Sequence, residues 1–181
     1  MKKIYPFIAL ITTLFSAFTA SAQTPLKGRD STIKGPQTFA IIVGVSKYKF
    51  VRPLAYADKD AELFRDYLKS PGGGSVKEDN IFFLSNEKAI NSNFWGKGFQ
   101  WLKAKNLQRG DKLFIYLAGH GDAIDEDQFF FLGYDCNPQG DKNNYLVAGT
   151  IQLFNLKKKI ANEAVKGVDV FFIMDACRTN E

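Results

Sequence analysis

The sequence predicts an α/β domain, a mainly parallel sheet with helices on both faces. Two observations carry that expectation. Four apolar runs rich in β-branched and aromatic residues, Phe39 to Val45, Ile81 to Leu84, Leu113 to Ala118 and Val168 to Met174, read as strands covered on both sides. Between them lie segments whose apolar residues recur at helical spacing. A strand, a helix and a parallel strand close in one hand only, which stacks the elements as helix, sheet and helix.

In chain order, the first run (FAIIVGV) leads to a stripe of Ala57, Ala61, Phe64 and Leu68, one face of a helix that Pro71 and the following glycines end. After the second run, Trp95, Phe99 and Leu102 mark another helix. After the third, Phe129 to Tyr134 (FFFLGY), followed by Asn137-Pro138 and Gly140-Asp141, reads as a strand and turn, a small accessory hairpin. Thr150 is the expected cap of a third helix, with Leu153, Leu156, Ile160 and Ala164 on its inner face. The last run ends seven residues before Glu181. Either the sheet is small or the sequence stops before further strands.

Residues ahead of the first strand divide in two. Lys2 and Lys3 precede an apolar stretch from Ile4 to Phe18 and then Ala20-Ser21-Ala22, the pattern of a cleavable secretory signal over 1–22. That stretch is shorter than the ~20 residues needed to span a bilayer, so export to the periplasm or the exterior is expected without a stable membrane anchor. Residues 23–37 are polar, contain Pro25, Gly28, Gly35 and Pro36, and read as a linker. The domain then occupies 38–181. A composition of 45% hydrophobic and 24% charged residues excludes disorder, collagen and coiled coil, and no fixed-period repeat suggests a solenoid.

Without Lys2 and Lys3 the chain holds 22 Lys plus Arg against 19 Asp plus Glu, too even a balance for a nucleic-acid partner. The distribution is less even. Residues 111–141 carry seven acids and the single base Lys112. Such a window is a solvated loop, or it attracts a cationic substrate or a metal ion.

Ligands of open parallel sheets gather at the carboxyl ends of the strands. There the third run enters Gly119-His120-Gly121-Asp122, the last enters Asp175-Ala176-Cys177-Arg178, and the first delivers the loop leading to Asp58. His120 is the only histidine, so it is the one candidate for an imidazole base, and a multi-histidine metal site is excluded. The flanking glycines permit a tight turn and give the Gly121 N–H room to face a substrate oxygen. Cys177 follows an apolar strand but sits in a polar loop with Asp175, Arg178 and Asn180. A thiolate there is a nucleophile if an imidazole takes its proton; an inert buried thiol is the alternative. A disulfide between Cys136 and Cys177 is open to an exported protein with two cysteines, and it would block that chemistry. Asp58 reads as a site acid or as an acceptor for the backbone N–H groups at its helix start.

These residues carry a resemblance. A strand ending in His-Gly, a helix, and a later strand ending in Asp-Ala-Cys resemble the large-subunit half of the caspase and metacaspase cysteine peptidases. The caspase signature places Gln-Ala-Cys about 50 residues after a histidine. Here Asp175-Ala176-Cys177-Arg178-Thr179 follows, with Cys177 57 residues after His120. Aspartate in place of glutamine, and Asp58 in Tyr56-Ala57-Asp58, look more like the metacaspase and paracaspase branch. Ala118 replaces a serine common in metacaspases, and Thr179 stands where glycine is frequent.

From about Phe39 to the end, the resemblance implies a caspase-like three-layer αβα sandwich, stopping before the small-subunit strands. It implies Cys177 as nucleophile, His120 as general acid and base, and the N–H groups of Gly121 and Cys177 as oxyanion hole. Asp58 and Asp175 match the acids that hold an Arg or Lys side chain of a peptide or protein substrate, with cleavage after that residue. No cofactor is required for the chemistry. Calcium is compatible with Asp122, Asp125, Asp127, Asp135 and Asp141, but their spacing matches no EF-hand loop and names no ligand set. A p10-like C-terminal segment or second subunit would wall the specificity pocket. Two other readings remain at this level: a catalytically silent caspase-like scaffold, and a disulfide-stabilised exported domain that binds calcium.

Overall fold

The computed structural model describes residues 35–124, 128–137, 139 and 149–176. The expected leader over 1–22 and most of the linker lie outside these residues, as does Cys177. Strand β1 spans Thr38–Gly44 and is followed by helix α1, Ala57–Lys69, and strand β2, Ile81–Ser85. Helix α2, Phe99–Lys105, leads to β3, Lys112–Ala118. Three short strands follow, β4 (Gly121–Ala123), β5 (Phe129–Leu132) and β6 (Thr150–Gln152), then helix α3 (Leu153–Val165) and strand β7 (Asp169–Asp175).

Strands β2, β1, β3 and β7 form a parallel sheet in that order. The period of two along β1 sorts its side chains between two helical layers. Ala40 and Ile42 pack with Ala57, Ala61 and Leu68 of α1, while Ile41 and Val43 share a core with Leu102 of α2 and with Leu156 and Ile160 of α3. Residues 40 to 43 are at most 1% exposed, which is why the run contains no polar residue. Gly44 ends β1 where α1 crosses closest. A Cβ there would fall 2.4 Å from Ala61 Cβ and 2.7 Å from the Ala57 carbonyl oxygen. The sheet is thus the expected αβα sandwich.

Four details depart from the expectations. Strand β7 is not covered on both faces: among the described residues it pairs with β3 alone, and its residues alternate between exposed and half-buried. Phe171 and Ile173 are 43% and 38% exposed. The physical reason is position, because α1 lies over β1 and its neighbours β3 and β2, with Phe64 stacked on Tyr116, and does not reach across to β7, where Phe171 stacks on Phe114 with ring centroids 4.8 Å apart. Secondly, Thr150 is not a helix cap. It lies buried in β6, and Gln152 precedes the first turn of α3 without a side-chain capping bond. Thirdly, Trp95 belongs to a wide π-helical turn, Asn93–Gly98, that precedes α2, and Phe94 is the ring buried there. Finally, the accessory hairpin has a third strand: β4, β5 and β6 form an antiparallel sheet in that order.

Candidate active site

Parallel registry levels the strand ends. Gly44 pairs with Ala118, and Ala118 with Asp175. The ladder continues one step past each end, because Val45 N–H donates to the Ala118 carbonyl at 2.9 Å and Gly119 N–H donates to the Asp175 carbonyl at 3.1 Å. The Gly119-His120 loop and Ala176 therefore leave one edge of the sheet from neighbouring strands. Cys177 is the next residue, outside the described ones.

His120 is 4% exposed and held on every side. Its carbonyl accepts from Leu132 N–H at 2.9 Å, and its N–H donates to the Tyr48 hydroxyl at 2.7 Å. Ring Nε2 lies 2.9 Å from the Arg52 carbonyl oxygen. A carbonyl only accepts, so Nε2 carries the proton and Nδ1 is the basic nitrogen of the neutral ring. Burial holds the Tyr48 hydroxyl well above the usual tyrosine range, against the hydrogen bond from His120 and with the help of Cys136 nearby. Tyr48 therefore stays neutral wherever the protein is folded. Neither Arg52 nor Tyr48 was singled out by sequence. The one signal was Pro53, which disfavours helical geometry at the preceding residue and so favours an extended Arg52.

Asp58 is 8% exposed and both its carboxylate oxygens are engaged. Oδ1 accepts from Ser46 Oγ at 2.8 Å and from Lys59 N–H at 2.9 Å, and Oδ2 accepts from Asn86 Nδ2 at 3.0 Å. The Asn86 side-chain oxygen in turn receives Ser46 N–H at 3.0 Å and Lys47 N–H at 2.9 Å. Burial alone would raise the Asp58 carboxyl; the bonds from Asn86, Ser46 and the Lys59 N–H, with the Lys59 charge, outweigh it and hold the group below its ordinary value. This network ties the end of β1, the first turn of α1 and the end of β2 together. The helix-cap alternative for Asp58 is not what the structure shows: Tyr56 precedes the first turn of α1 without a side-chain capping bond, and the backbone N–H that Asp58 receives is that of the adjacent Lys59.

Asp175 ends β7 exposed, and Asp60, one turn into α1, is half-buried. Both act on Tyr116: burial first, then the Asp175 charge, then the Asp60 charge push its hydroxyl above the usual range. Two carboxylates thus flank one tyrosine at the carboxyl edge, on the α1 side of the sheet. Among the described residues neither has an ion-pair partner. Asp60 was missed by sequence because it lies on the same helical turn as Asp58 and nothing local distinguishes the two.

A cavity of about 250 Å³ opens at the same edge, lined by Gly121, Asp122, Phe129, Phe130, Met174 and Ala176 among others. Gly121 itself opens β4 opposite Phe131 and is buried. Cys136 is a free and fully buried thiol, and Cys177, the other half of the expected disulfide, lies outside the described residues. Burial, then the charges of Asp135 and Asp122, push that thiol up to about 12. The calcium expectation falls largely on Asp125, Asp127 and Asp141, outside the described residues. Among the described residues no three carboxylates, imidazoles or thiols converge, and Asp122 Oδ1 already accepts Ala123 N–H at 2.7 Å.

Comparison with known families finds a match to the caspase domain of peptidase C14 over residues 37–181. No curated protein matches. Among solved structures, protein GSU0716 from Geobacter sulfurreducens aligns with a TM-score of 0.55 at 16% identity, over 81% of this chain and 52% of that one. This chain thus spans about half the length of that neighbour, a likeness of fold alone.

Proposed function

Since the chain belongs to the caspase-domain family, peptidase C14, we propose that it acts as a cysteine endopeptidase with a Cys177–His120 dyad, cutting after Arg or Lys. The observation that carries this reading is the bond from Gly119 N–H to the Asp175 carbonyl. It supports a common edge for the two loops, and His120 and Cys177 each come two residues after the paired Ala118 and Asp175.

In the proposed cycle Nδ1 of His120 takes the Cys177 thiol proton, and the thiolate adds to the substrate carbonyl carbon. Gly121 and Cys177 N–H groups are the donors that the family resemblance assigns to the resulting oxyanion. The C–N bond then breaks, the imidazolium gives its proton to the leaving amine, and an acyl-thioester remains. Water, deprotonated by Nδ1, adds to the thioester and releases the carboxylic acid and the thiol. Throughout, the Arg52 carbonyl accepts from Nε2–H, which keeps Nδ1 as the nitrogen that takes and returns the proton.

Specificity follows from the acids. Asp175 and Asp60 flanking Tyr116 support a site for a guanidinium or ammonium, which two nearby carboxylates attract. Asp58, with both oxygens engaged, serves that site by holding the loop and the helix turn that carry Asp60. Among the described residues β7 has no strand on its far side and leaves Phe171 and Ile173 exposed, which suits the added strands of a p10-like segment or second subunit. The test is hydrolysis of an Arg or Lys reporter peptide by the wild type and by Cys177→Ala. Turnover that survives Cys177→Ala sinks the proposal.

A further inference from the structure

The β1–α1 loop meets His120 three times. The Arg52 carbonyl takes the ring Nε2–H at 2.9 Å, and the Tyr48 hydroxyl takes the main-chain N–H at 2.7 Å. The Tyr48 ring lies against the imidazole, with centroids 5.0 Å apart and planes tilted by 44°. The loop is itself braced: Leu54 N–H donates to the Ser46 carbonyl at 2.8 Å and Lys49 N–H to the Tyr134 carbonyl at 3.0 Å. Below, the Tyr48 ring packs on Phe130, Leu132 and Cys136. No slack remains above it. A Cβ on Gly119 would sit 2.6 Å from the Tyr48 hydroxyl oxygen and 3.0 Å from two ring carbons of the buried Phe131.

We infer that Tyr48 is a positioning residue for His120. Its hydroxyl fixes the main chain and its ring restrains the imidazole, so that Nε2 stays on the Arg52 carbonyl and Nδ1 stays the basic nitrogen. An imidazole has two nitrogens and one neutral proton, and the bond that one nitrogen makes decides where the proton sits. Freed from its contacts, the ring samples both tautomers and only one of them offers Nδ1 as base. The effect on turnover rests on the dyad proposed above; the restraint on the ring does not.

Because His120 is the only histidine, every imidazole signal in a 15N-labelled sample belongs to it. In the wild type the expected spectrum is a single Nε2–H tautomer, with a His120 amide that exchanges slowly with solvent. Tyr48→Phe keeps the ring and removes the hydroxyl. Its His120 amide should exchange at least about tenfold faster and the second tautomer should appear. On an Arg reporter, kcat should fall about tenfold with KM within about twofold, whereas a general loosening of the fold would change both. Imidazole and amide signals identical to wild type in Tyr48→Phe overturn the inference. Should that variant not fold, the wild type decides alone: an amide exchanging like an open loop, or a mixture of tautomers, overturns it equally. A wild type without peptidase activity but with the restrained tautomer sinks the dyad and leaves the positioning role standing.

Discussion

Gly119 N–H donates to the carbonyl of Asp175 at 3.1 Å, one step beyond the last paired residues of β3 and β7. Neighbouring strands run about 4.8 Å apart, so this bond continues the spacing of the sheet into the loops that bear the proposed catalytic pair. The proposed dyad further requires the two side chains to point the same way.

If imidazole and thiol work as one unit, removing either should cost nearly as much as removing both. Cys177→Ala and His120→Ala are each expected to lower kcat/KM on an Arg reporter by about three orders of magnitude, and the double variant by no more than about threefold further. Steady-state kinetics of the three variants decides it. Independent, multiplying losses would mean that the two residues act separately.

The acids around Tyr116 give a second expectation. Asp175→Asn and Asp60→Asn should each raise KM for an Arg or Lys peptide about tenfold, since each removes one charge-assisted contact. Asp58→Asn should leave KM within about twofold at a temperature where the variant is folded. A KM that responds to Asp58 and ignores Asp60 would return the substrate role to Asp58.

Asp58 should instead be visible in stability against pH. Its carboxyl is held below the ordinary value when folded, so its contribution is present above the unfolded value near ~4 and is lost as pH falls through the folded value. Asp58→Ala strands the Ser46 hydroxyl and the Asn86 amide, and should cost about 2 kcal/mol at pH 7. That difference should shrink in acid. Urea unfolding of both proteins at pH 7 and at low pH measures it, and a gap that widens in acid would contradict the assignment.

The two thiols should separate cleanly. Cys136 is fully buried and its thiol is pushed up to about 12, so it stays neutral and slow toward alkylating reagents across the working range. Native protein at pH 7 is expected to show one fast thiol, abolished by Cys177→Ala, and a second only in denaturant. A fast thiol that survives Cys177→Ala would place the reactive sulfur elsewhere.

Local pattern sufficed for the α/β order, and it nominated His120 and Cys177 as the candidates for chemistry. An unbroken apolar run such as Phe39 to Val45 has few other folded solutions, and a chain with one histidine offers one imidazole. The same reasoning reached the strand ends, because strands that all run parallel have their carboxyl ends on one edge of the sheet. What remained hidden depends on neighbours distant in the chain. A main-chain carbonyl such as that of Arg52 has no side-chain signature, and its bond to His120 exists only once 68 positions of separation are closed. β7 and β1 are both apolar runs, yet among the described residues β1 has a strand on either side and β7 on one, and coverage depends on which helices cross above. Asp58 and Asp60 share a turn of α1, and their tasks diverge because Asn86 and Ser46 engage one carboxylate while the other shares Tyr116 with Asp175. A carboxylate takes its role from the partners that folding brings to it, and those are set by the whole chain.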